Sequence, residues 1–197
     1  MANNADQQLI QQTLNGDSRA FAQLVEKYQE YVFTIVIRML KVREEAEEVA
    51  QDIFIKVYES LSSFKGESKF STWLYRIAYR KALDQIRKNK NRVQAFELME
   101  ELTEDKHVLA SNPSEVMEEQ ERNQRIKQCI HQLGHTEAAL ITFFYFDELS
   151  IKEIASITEL SEDNVKVKLH RSRKKLYDLM KRQAVLSENL RNHGQTI

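Results

Sequence analysis

The sequence predicts an all-α fold of two small helical domains joined by a flexible acidic linker. Only 4 Gly and 1 Pro occur among the 197 residues, while 42% of residues are hydrophobic and 30% are charged. So few backbone breakers among so many helix formers favour helices throughout the chain. The length suffices for one domain or for two small ones, each just able to bury a core of its own.

The net charge of −1 conceals an uneven charge distribution. Residues 1–92 carry 15 basic and 12 acidic side chains, residues 93–121 carry 9 acidic and 1 basic, and residues 122–183 carry 12 basic and 8 acidic. The middle block also contains the only proline, and an acidic segment of this kind is typical of a linker. The predicted division is a domain at 9–92, a linker at 93–120, a domain at 121–183 and a polar tail at 184–197.

Several classes of protein are excluded by what the sequence lacks. No stretch approaches the roughly 20 apolar residues of a membrane span, and the N-terminal residues lack the basic and apolar regions of a signal peptide. The single Cys129 cannot form an intramolecular disulfide, which fits a reducing compartment. The five histidines are scattered, and there is no Gly-rich phosphate loop. We therefore expect a cytoplasmic protein without membrane insertion, metal or cofactor, and not an enzyme.

Two long helices are predicted first, from apolar residues at spacings of three and four. Asp17 follows an Asn15-Gly16 turn and is placed to cap the first helix, whose apolar stripe runs from Phe21 to Met39. The second helix, at about 43–62, exposes acidic side chains on its first turns. These acids form either a solvated surface that suits a helix N-terminus or a docking surface for a basic partner.

A polar loop with two aromatic residues follows, and Ser71 or Thr72 can cap the helix after it. Four residues of that helix fall within an arc of about 60° at 100° per residue. These residues are Trp73, Arg76, Arg80 and Arg87. A basic stripe with a tryptophan suits a nucleic-acid backbone whose bases stack on rings. The alternative is an ordinary soluble face with Trp73 packed into the core.

The C-terminal domain contains a predicted helix-turn-helix. A polar helix at 119–133 and an apolar core helix at 136–146 precede a short helix that Ser150 and Glu153 begin with a capping box. The chain breaks near Glu159, and a much more basic helix starts at Ser161. Two helices joined by a tight turn, the second basic, are typical of DNA-binding proteins.

The outward side of this second helix, predicted at about 161–176 (α8), is called the α8 face, and it offers basic groups for phosphates and a few groups for base edges. Its members are Asp163, Lys166, Val167, Lys168, His170, Arg171, Arg173 and Lys174. Asp163 either favours the helix dipole or accepts a hydrogen bond from a cytosine amino group. The α8 face is predicted to bind DNA, the alternative being a solvated basic surface.

Several motifs occur in one order across both predicted domains. They are Asn15-Gly16-Asp17, the acidic segment 44–54, Phe64-Lys65-Gly66-Glu67-Ser68, the segment 72–78, and the segments 149–155 and 165–173. In this order the chain resembles an extracytoplasmic-function (ECF, group IV) sigma factor of bacterial RNA polymerase, of the sigma-70 family. The resemblance runs from about Leu9 to Lys181.

The resemblance implies a transcription initiation factor that directs core polymerase to the −35 and −10 promoter elements and helps to open the strands. It implies that an acidic face binds the coiled coil of the polymerase's largest subunit; this face consists of Glu47, Glu48, Gln51, Asp52 and Phe54. It implies that a face on the predicted helix 72–88 (α4) and on the loop before it, which we call the α4 face, contacts the −10 element and holds a flipped non-template base. This face consists of Phe64, Lys65, Gly66, Phe70, Trp73, Arg76, Arg80 and Arg87.

By the same resemblance, the α8 face would contact the −35 element, and the linker would run toward the RNA exit channel. Association with the nucleoid is expected when the chain is bound to polymerase. An anti-sigma factor is an expected partner, although no residue identifies one.

The sequence departs from the family pattern at a few positions. Arg80 stands where Asn is frequent, Asp163-Asn164 replace a frequent Gly-Thr, and Glu159 occupies a turn where Gly is common. Glu159 is therefore expected to adopt a left-handed conformation. The changes at 80 and 163–164 alter the groups offered to bases and leave the promoter sequence open. A stand-alone helix-turn-helix regulator is the main rival, but it leaves the acidic face and the aromatic loop unexplained.

Overall fold

The computed structural model describes residues 4–97 and 117–193, and both parts are helical. The N-terminal half contains α1 (Asn4–Leu14), α2 (Ser18–Leu40), α3 (Arg43–Ser60), a 3-10 turn (Leu61–Ser63) and α4 (Phe70–Glu97). The C-terminal half contains α5 (Met117–His131), α6 (His135–Tyr145), α7 (Ile151–Thr158) and α8 (Glu162–His193). No strand occurs in the described residues, and the predicted all-α fold is confirmed.

The predicted linker and tail differ in extent from the described helices. α4 continues to Glu97 and α5 begins at Met117, so helices occupy both ends of the predicted linker 93–120. The remainder of that linker, 98–116, lies outside the described residues. α8 continues to His193, through most of the predicted polar tail, and 194–197 also lie outside.

Two of the three predicted helix caps are confirmed. The Asp17 carboxylate accepts a hydrogen bond of 2.8 Å from the Arg19 backbone N–H at the start of α2. Ser150 and Glu153 form the capping box of α7. The predicted cap by Ser71 or Thr72 is wrong, because α4 already begins at Phe70.

Helix α1 is an element that the apolar spacing did not predict. Its anchor is polar: the buried Asp6 carboxylate accepts hydrogen bonds from Lys27 Nζ at 2.5 Å and Tyr28 Oη at 2.7 Å. Burial, together with the hydrogen bond to Asp6, raises the pKa of Tyr28. Asp6 thus fastens α1 to the middle of α2, and Ile10 is the buried apolar residue that α1 adds to the core.

Each half has a core built from its predicted apolar stripes. In the N-terminal half, α2, α3 and α4 pack together through buried side chains such as Leu24, Ile35, Ile53 and Leu74. In the C-terminal half, α6 is surrounded by α5, α7 and α8. Glu159 ends α7 with φ 59° and ψ 26°, as expected for a residue in a turn where glycine is common.

The two halves also pack on each other, through a contact that we call the seam. In the seam α6 lies against α2, and α7 lies against α4. The Tyr75 ring stacks on Phe143 with centroids 6.1 Å apart, and the Tyr79 ring meets Phe143 edge-on at 6.3 Å. The buried apolar residues of both halves form a single cluster. The sequence predicted separate cores, whereas α4 presents apolar side chains to both halves.

Polar contacts flank the aromatic centre of the seam. The Arg38 guanidinium donates to Thr142 Oγ1 at 3.0 Å and lies 4.0 Å from the Phe146 ring centroid. Lys41 Nζ donates to the Leu133 carbonyl oxygen at 2.8 Å. The carboxyl of Asp147 lies in the same region, and its Oδ2 is buried without a hydrogen-bond partner.

The Asp147 carboxyl makes the stability of the fold depend on pH. Burial, partly opposed by the Arg38 guanidinium, raises the pKa of Asp147 from 3.8 to about 6. The cavity beside it is also lined by Lys27 and Lys69 and by the hydroxyl of Tyr75. The folded protein binds this proton more readily than the unfolded chain does. The protonated carboxyl therefore stabilises the folded state fully below about pH 4, and this stabilisation is lost as the pH rises through 6.

We therefore expect Asp147→Asn to raise the free energy of unfolding at pH 7 by roughly 1–2 kcal/mol. The variant should also lose this part of the pH dependence between about pH 4 and pH 7. Urea denaturation at a series of pH values measures both effects, with the neighbouring exposed position as the control, Glu148→Gln. Parallel pH curves for the wild type and Asp147→Asn would contradict the prediction.

We also expect Asp6→Ala to lower the free energy of unfolding by roughly 2 kcal/mol, because the buried Tyr28 hydroxyl loses its acceptor. The Lys27 ammonium is partly exposed and can turn to water, so its loss adds little. Thermal denaturation should show a decrease in Tm of about 4–8 °C. Glu26→Ala, at an exposed position of α2, is the control, and equal Tm values for the two variants would refute an anchoring role for Asp6.

Candidate nucleic-acid interface

The acidic face on α3 presents its charged groups to solvent. Glu47, Glu48, Gln51 and Asp52 are all exposed, and Phe54 is half-buried against the core. Glu47 accepts a hydrogen bond from Arg43 Nε at 2.8 Å, and the Asp52 carboxylate lies 3.8 Å from Lys81 Nζ. Because these pairs are exposed, they constrain the face only weakly, and its carboxylates are accessible to a basic partner.

The loop before α4 supports an aromatic cluster. The ring of Phe64 lies 5.5 Å from that of Trp73 and 5.6 Å from that of Phe70, measured between centroids. Phe64 and Trp73 are half-buried, so each retains an accessible part, and Gly66 turns the loop with φ 74°. A residue with a side chain would be strained at this φ.

Phe70 is placed differently from the prediction that it faces DNA. Its side chain is only 3% exposed, and its ring packs on Tyr28 at a centroid distance of 5.5 Å. Such a buried ring cannot stack on a base without moving. In this structure Phe70 supports Phe64 and Trp73 from the core side. Trp73 lies between the two predicted alternatives. One part of its side chain packs against the core, and another part remains accessible for stacking on a base.

The α4 face is basic as predicted, but groups of the C-terminal half occupy its centre. The Arg76 guanidinium donates to Ser156 Oγ, and the Arg80 guanidinium forms an ion pair with Glu159. Just before α4, seven residues ahead of Arg76, Lys69 Nζ lies 2.8 Å from a Glu153 carboxylate oxygen. Arg87 remains exposed near the other end of the face, paired with Asp84 at 3.3 Å.

The pairing also affects the acid on α7. Burial alone would raise the pKa of Glu153, but hydrogen bonds from Lys69 and Ser150 outweigh it and lower the pKa to about 2. Glu153 is therefore charged at neutral pH and binds Lys69 while it caps α7. The sequence marked Glu153 only as a capping residue, because a contact between residues so distant in the chain leaves no local pattern.

The α8 face is open. Val167 is 47% exposed, and His170, Arg171, Arg173 and Lys174 are exposed around it. Val165, Leu169 and Ser172 point inward and fix the rotation of the helix. Asp163 is exposed and forms an ion pair of 3.0 Å with Lys166, so its carboxylate is partly engaged. Lys168 is half-buried.

The described ranges hold neither a metal-binding cluster nor a membrane-spanning helix. Residues 4–97 and 117–193 contain no group of three or more His, Cys, Asp or Glu side chains that could hold a metal ion. In these same ranges, no helix is both long and apolar enough to cross a membrane.

Family models match both halves of the chain. The model of Sigma-70 region 2 matches residues 24–92, and the model of Sigma-70, region 4 matches residues 123–176. The first range contains the acidic face and the α4 face, and the second contains the α8 face. Together they span more than half of the chain.

Whole-chain relatives agree with the two family models. The chain is 36% identical over 172 residues to the ECF RNA polymerase sigma factor SigW of Bacillus subtilis, covering 85% of this chain and 92% of the relative. It is 34% identical over 173 residues to the RNA polymerase sigma-H factor of Pseudomonas aeruginosa and to the ECF RNA polymerase sigma-E factor of Escherichia coli K12. In both cases 85% of this chain and 90% of the relative are covered.

Solved structures share the fold. The structure of CnrH in complex with the cytosolic domain of CnrY matches with a TM-score of 0.64 and 22% identity, over 90% of this chain and 98% of that chain. The sigma factor RpoE, in complex with the anti-sigma factor NepR from Bartonella quintana, matches with a TM-score of 0.64 and 20% identity, over 82% and 96%. By its sequence relatives and its two family regions, the chain belongs to the ECF subfamily of the sigma-70 family, and it is a sigma factor that directs RNA polymerase to promoters.

Proposed function

We propose that this sigma factor uses three separate binding surfaces. The acidic face binds core RNA polymerase, the α4 face binds the −10 element and the α8 face binds the −35 element. The observation that carries this assignment is the segregation of charge among helices. The acidic face lies on α3, whereas basic groups are concentrated on α4 and on the outward side of α8. A protein that met only DNA would have no use for the acidic face.

The α8 face suits duplex recognition in the major groove. Its exposed apolar Val167 can contact a thymine methyl group, and His170 and Arg171 can donate to base edges or phosphates. The surrounding lysines and arginines fix the position of the helix on the phosphate backbone without reading sequence. The inward side chains of α8 keep this set of groups on a rigid element.

The α4 face suits a strand that has left the duplex. The accessible parts of Phe64 and Trp73 offer rings for stacking, and Arg76 and Arg80 offer positive charge for the backbone. Base stacking on aromatic side chains contributes about 1–3 kcal/mol per base, which offsets the few kcal/mol of unstacking. Core polymerase supplies the chemistry of nucleotide addition, and this chain supplies position and strand capture.

An anti-sigma factor is proposed as a second kind of protein partner. The proposal is supported by the solved structure of RpoE, which is a complex with an anti-sigma factor. An exposed face on α3 and an exposed face on α8 give such a partner surfaces to cover. The linker residues 98–116, proposed to follow the RNA exit path, lie outside the described residues.

The decisive experiment is transcription in vitro with purified core polymerase on a randomised promoter library, followed by sequencing of the transcript starts. We expect starts that depend on this chain and share two motifs at a fixed spacing. If instead the chain alone binds a palindromic operator and adds no starts, it is a stand-alone regulator, and the three assignments are wrong.

Charge reversal on the acidic face tests the assignment to polymerase. Glu48→Arg should weaken binding to core polymerase at least about tenfold, because it places a like charge against a basic partner. Glu26→Arg makes the same change on an exposed position of α2 and should have no such effect. Fluorescence anisotropy with labelled core polymerase measures both affinities. Equal affinities for the two variants would remove the acidic face from the interface.

Truncation on the α8 face tests the assignment to the −35 element. With holoenzyme on a duplex of the selected promoter, Arg171→Ala should reduce affinity by roughly 1–3 kcal/mol if it reads a base, and relax selection at one position. If Arg171 contacts phosphate instead, the affinity of the variant should fall on all sequences. The slope of log affinity against log salt concentration should then decrease in magnitude by about 1. Lys127→Ala, on α5, is the control, and an Arg171 variant that matches it would refute the contact.

A further inference from the structure

The cavity beside Asp147, which we call the seam cavity, is separate from the three proposed binding surfaces. Its volume is about 400 Å³, which is in the range of small-molecule sites in proteins. Its walls come from α2, from the first turns of α4 with the residue before them, and from the segment between α6 and α7. The members of the acidic face, the α4 face and the α8 face are all described residues, and none of them lines it. A molecule bound here would contact both halves of the chain.

The N-terminal half supplies two ammonium groups to the seam cavity. Lys27 Nζ lies 2.5 Å from the Asp6 carboxylate, and the Lys27 side chain is 39% exposed. Lys69 Nζ lies 2.8 Å from the Glu153 carboxylate, and the Lys69 side chain is 52% exposed. An ammonium has three N–H donors, so neither ion pair uses all the donors of its lysine. A ligand carboxylate can accept charge-assisted hydrogen bonds from the donors that remain.

The C-terminal half supplies two carboxyl groups to the same cavity. Asp147 lines it, and among the described residues Asp147 Oδ2 is one of the buried side-chain atoms without a hydrogen-bond partner. The next residue, Glu148, also lines the cavity and is exposed. A buried acceptor without a partner disfavours the state that contains it, unless a ligand or water supplies a donor. An ammonium group on a ligand would supply that donor and would match the charge of both carboxylates.

Two aromatic side chains complete the wall. Tyr31 is 49% exposed and Phe146 is 47% exposed, and both line the cavity. The Arg38 guanidinium lies 4.0 Å from the centroid of the Phe146 ring and helps to fix its position. A flat apolar group placed against these rings would remove apolar surface from water on both sides of the contact.

We propose that the seam cavity binds a small aromatic zwitterion, either a free aromatic amino acid or a dipeptide that contains one. The two lysines hold its carboxylate, the two acids hold its ammonium group, and the two half-exposed rings contact its aromatic group. An anion without an ammonium group would meet the acids unpaired, and a cation without a carboxylate would do the same to the lysines. A site for such a molecule goes beyond the proposed function, which requires no small ligand.

Isothermal titration calorimetry of the purified full chain tests the chemistry of the ligand. The two zwitterionic probes are L-phenylalanine and L-phenylalanylglycine. Hydrocinnamate and acetyl-phenylalanylglycine lack the ammonium group, whereas phenethylamine and phenylalanylglycinamide lack the carboxylate. The preferred zwitterion should bind at least about tenfold more tightly than both of its analogues, because each analogue leaves one pair of charged groups without its partner.

Two substitutions test which residues hold which charge. Asp147→Asn preserves the shape of the side chain and should weaken binding of the zwitterion about tenfold, while the analogue without the ammonium group binds no more weakly than before. Lys27→Met should weaken the zwitterion by a similar factor, while the analogue without the carboxylate binds no more weakly. Lys56→Met removes an exposed lysine of α3 and is the matched control, with every affinity within about twofold of the wild type.

Thermal denaturation checks that each variant is folded and that the ligand binds the folded chain. At a concentration about tenfold above its Kd, the zwitterion should raise the Tm of the wild type by about 3–6 °C. The same concentration should raise the Tm of Asp147→Asn and Lys27→Met by less, and that of Lys56→Met by as much as in the wild type.

The two probes also distinguish the sources of the zwitterion. Tighter binding of L-phenylalanine identifies a free amino acid as the ligand, and tighter binding of L-phenylalanylglycine identifies a dipeptide. The proposal is wrong if neither probe binds the wild type more tightly than both of its analogues. It is also wrong if Asp147→Asn and Lys27→Met weaken the zwitterion and its analogues by the same factor, because the substituted groups would then not pair with the charges that the analogues lack.

Discussion

The rest of the structure depends on the burial of α4 on two sides. Leu74, Ala78 and Ala82 pack into the N-terminal core, while Tyr75 and Tyr79 lie against Phe143 of the other half. Ala78 and Ala82 are fully buried, and the tyrosines give the helix a second apolar side. Because one helix serves both cores, the position of the C-terminal half is set by the same residues that place the basic groups of α4.

Because α4 packs against both halves, the contact between the halves affects which groups of α4 a ligand can reach. An acidic ligand of Arg76 and Arg80 would compete with α7, because both would use the same guanidinium groups. The acidic face on α3 is exposed with the seam closed, so the first encounter with a basic surface requires no prior opening.

Much of the fold could be predicted from local patterns, but the seam could not. The stripe from Phe21 to Met39, the cap at Asp17 and the break at Glu159 are each encoded within a few residues, and each is confirmed. Helix α1 escaped prediction because it is short, contributes one buried apolar residue, Ile10, and is anchored by a polar residue, Asp6. Phe70 was assigned to DNA because an aromatic residue in a polar loop has the same pattern whether it faces inward or outward. Contacts such as Arg38 with Thr142 join residues 104 apart and follow from tertiary packing alone.

Arg80 and Glu159, two residues that are unusual at their positions, form an ion pair with each other. Taken singly, an arginine where the resembling family often has asparagine alters the groups offered to a base, and a glutamate at φ 59° strains a turn. The structure places these two side chains together across the seam. Both side chains of the pair are more than half exposed, so water screens their attraction and the pair adds little to the stability of the turn. Glycine at 159 would relieve the turn and remove the ion pair, so α7 and α4 would lose one polar contact while the apolar contacts of the seam remained.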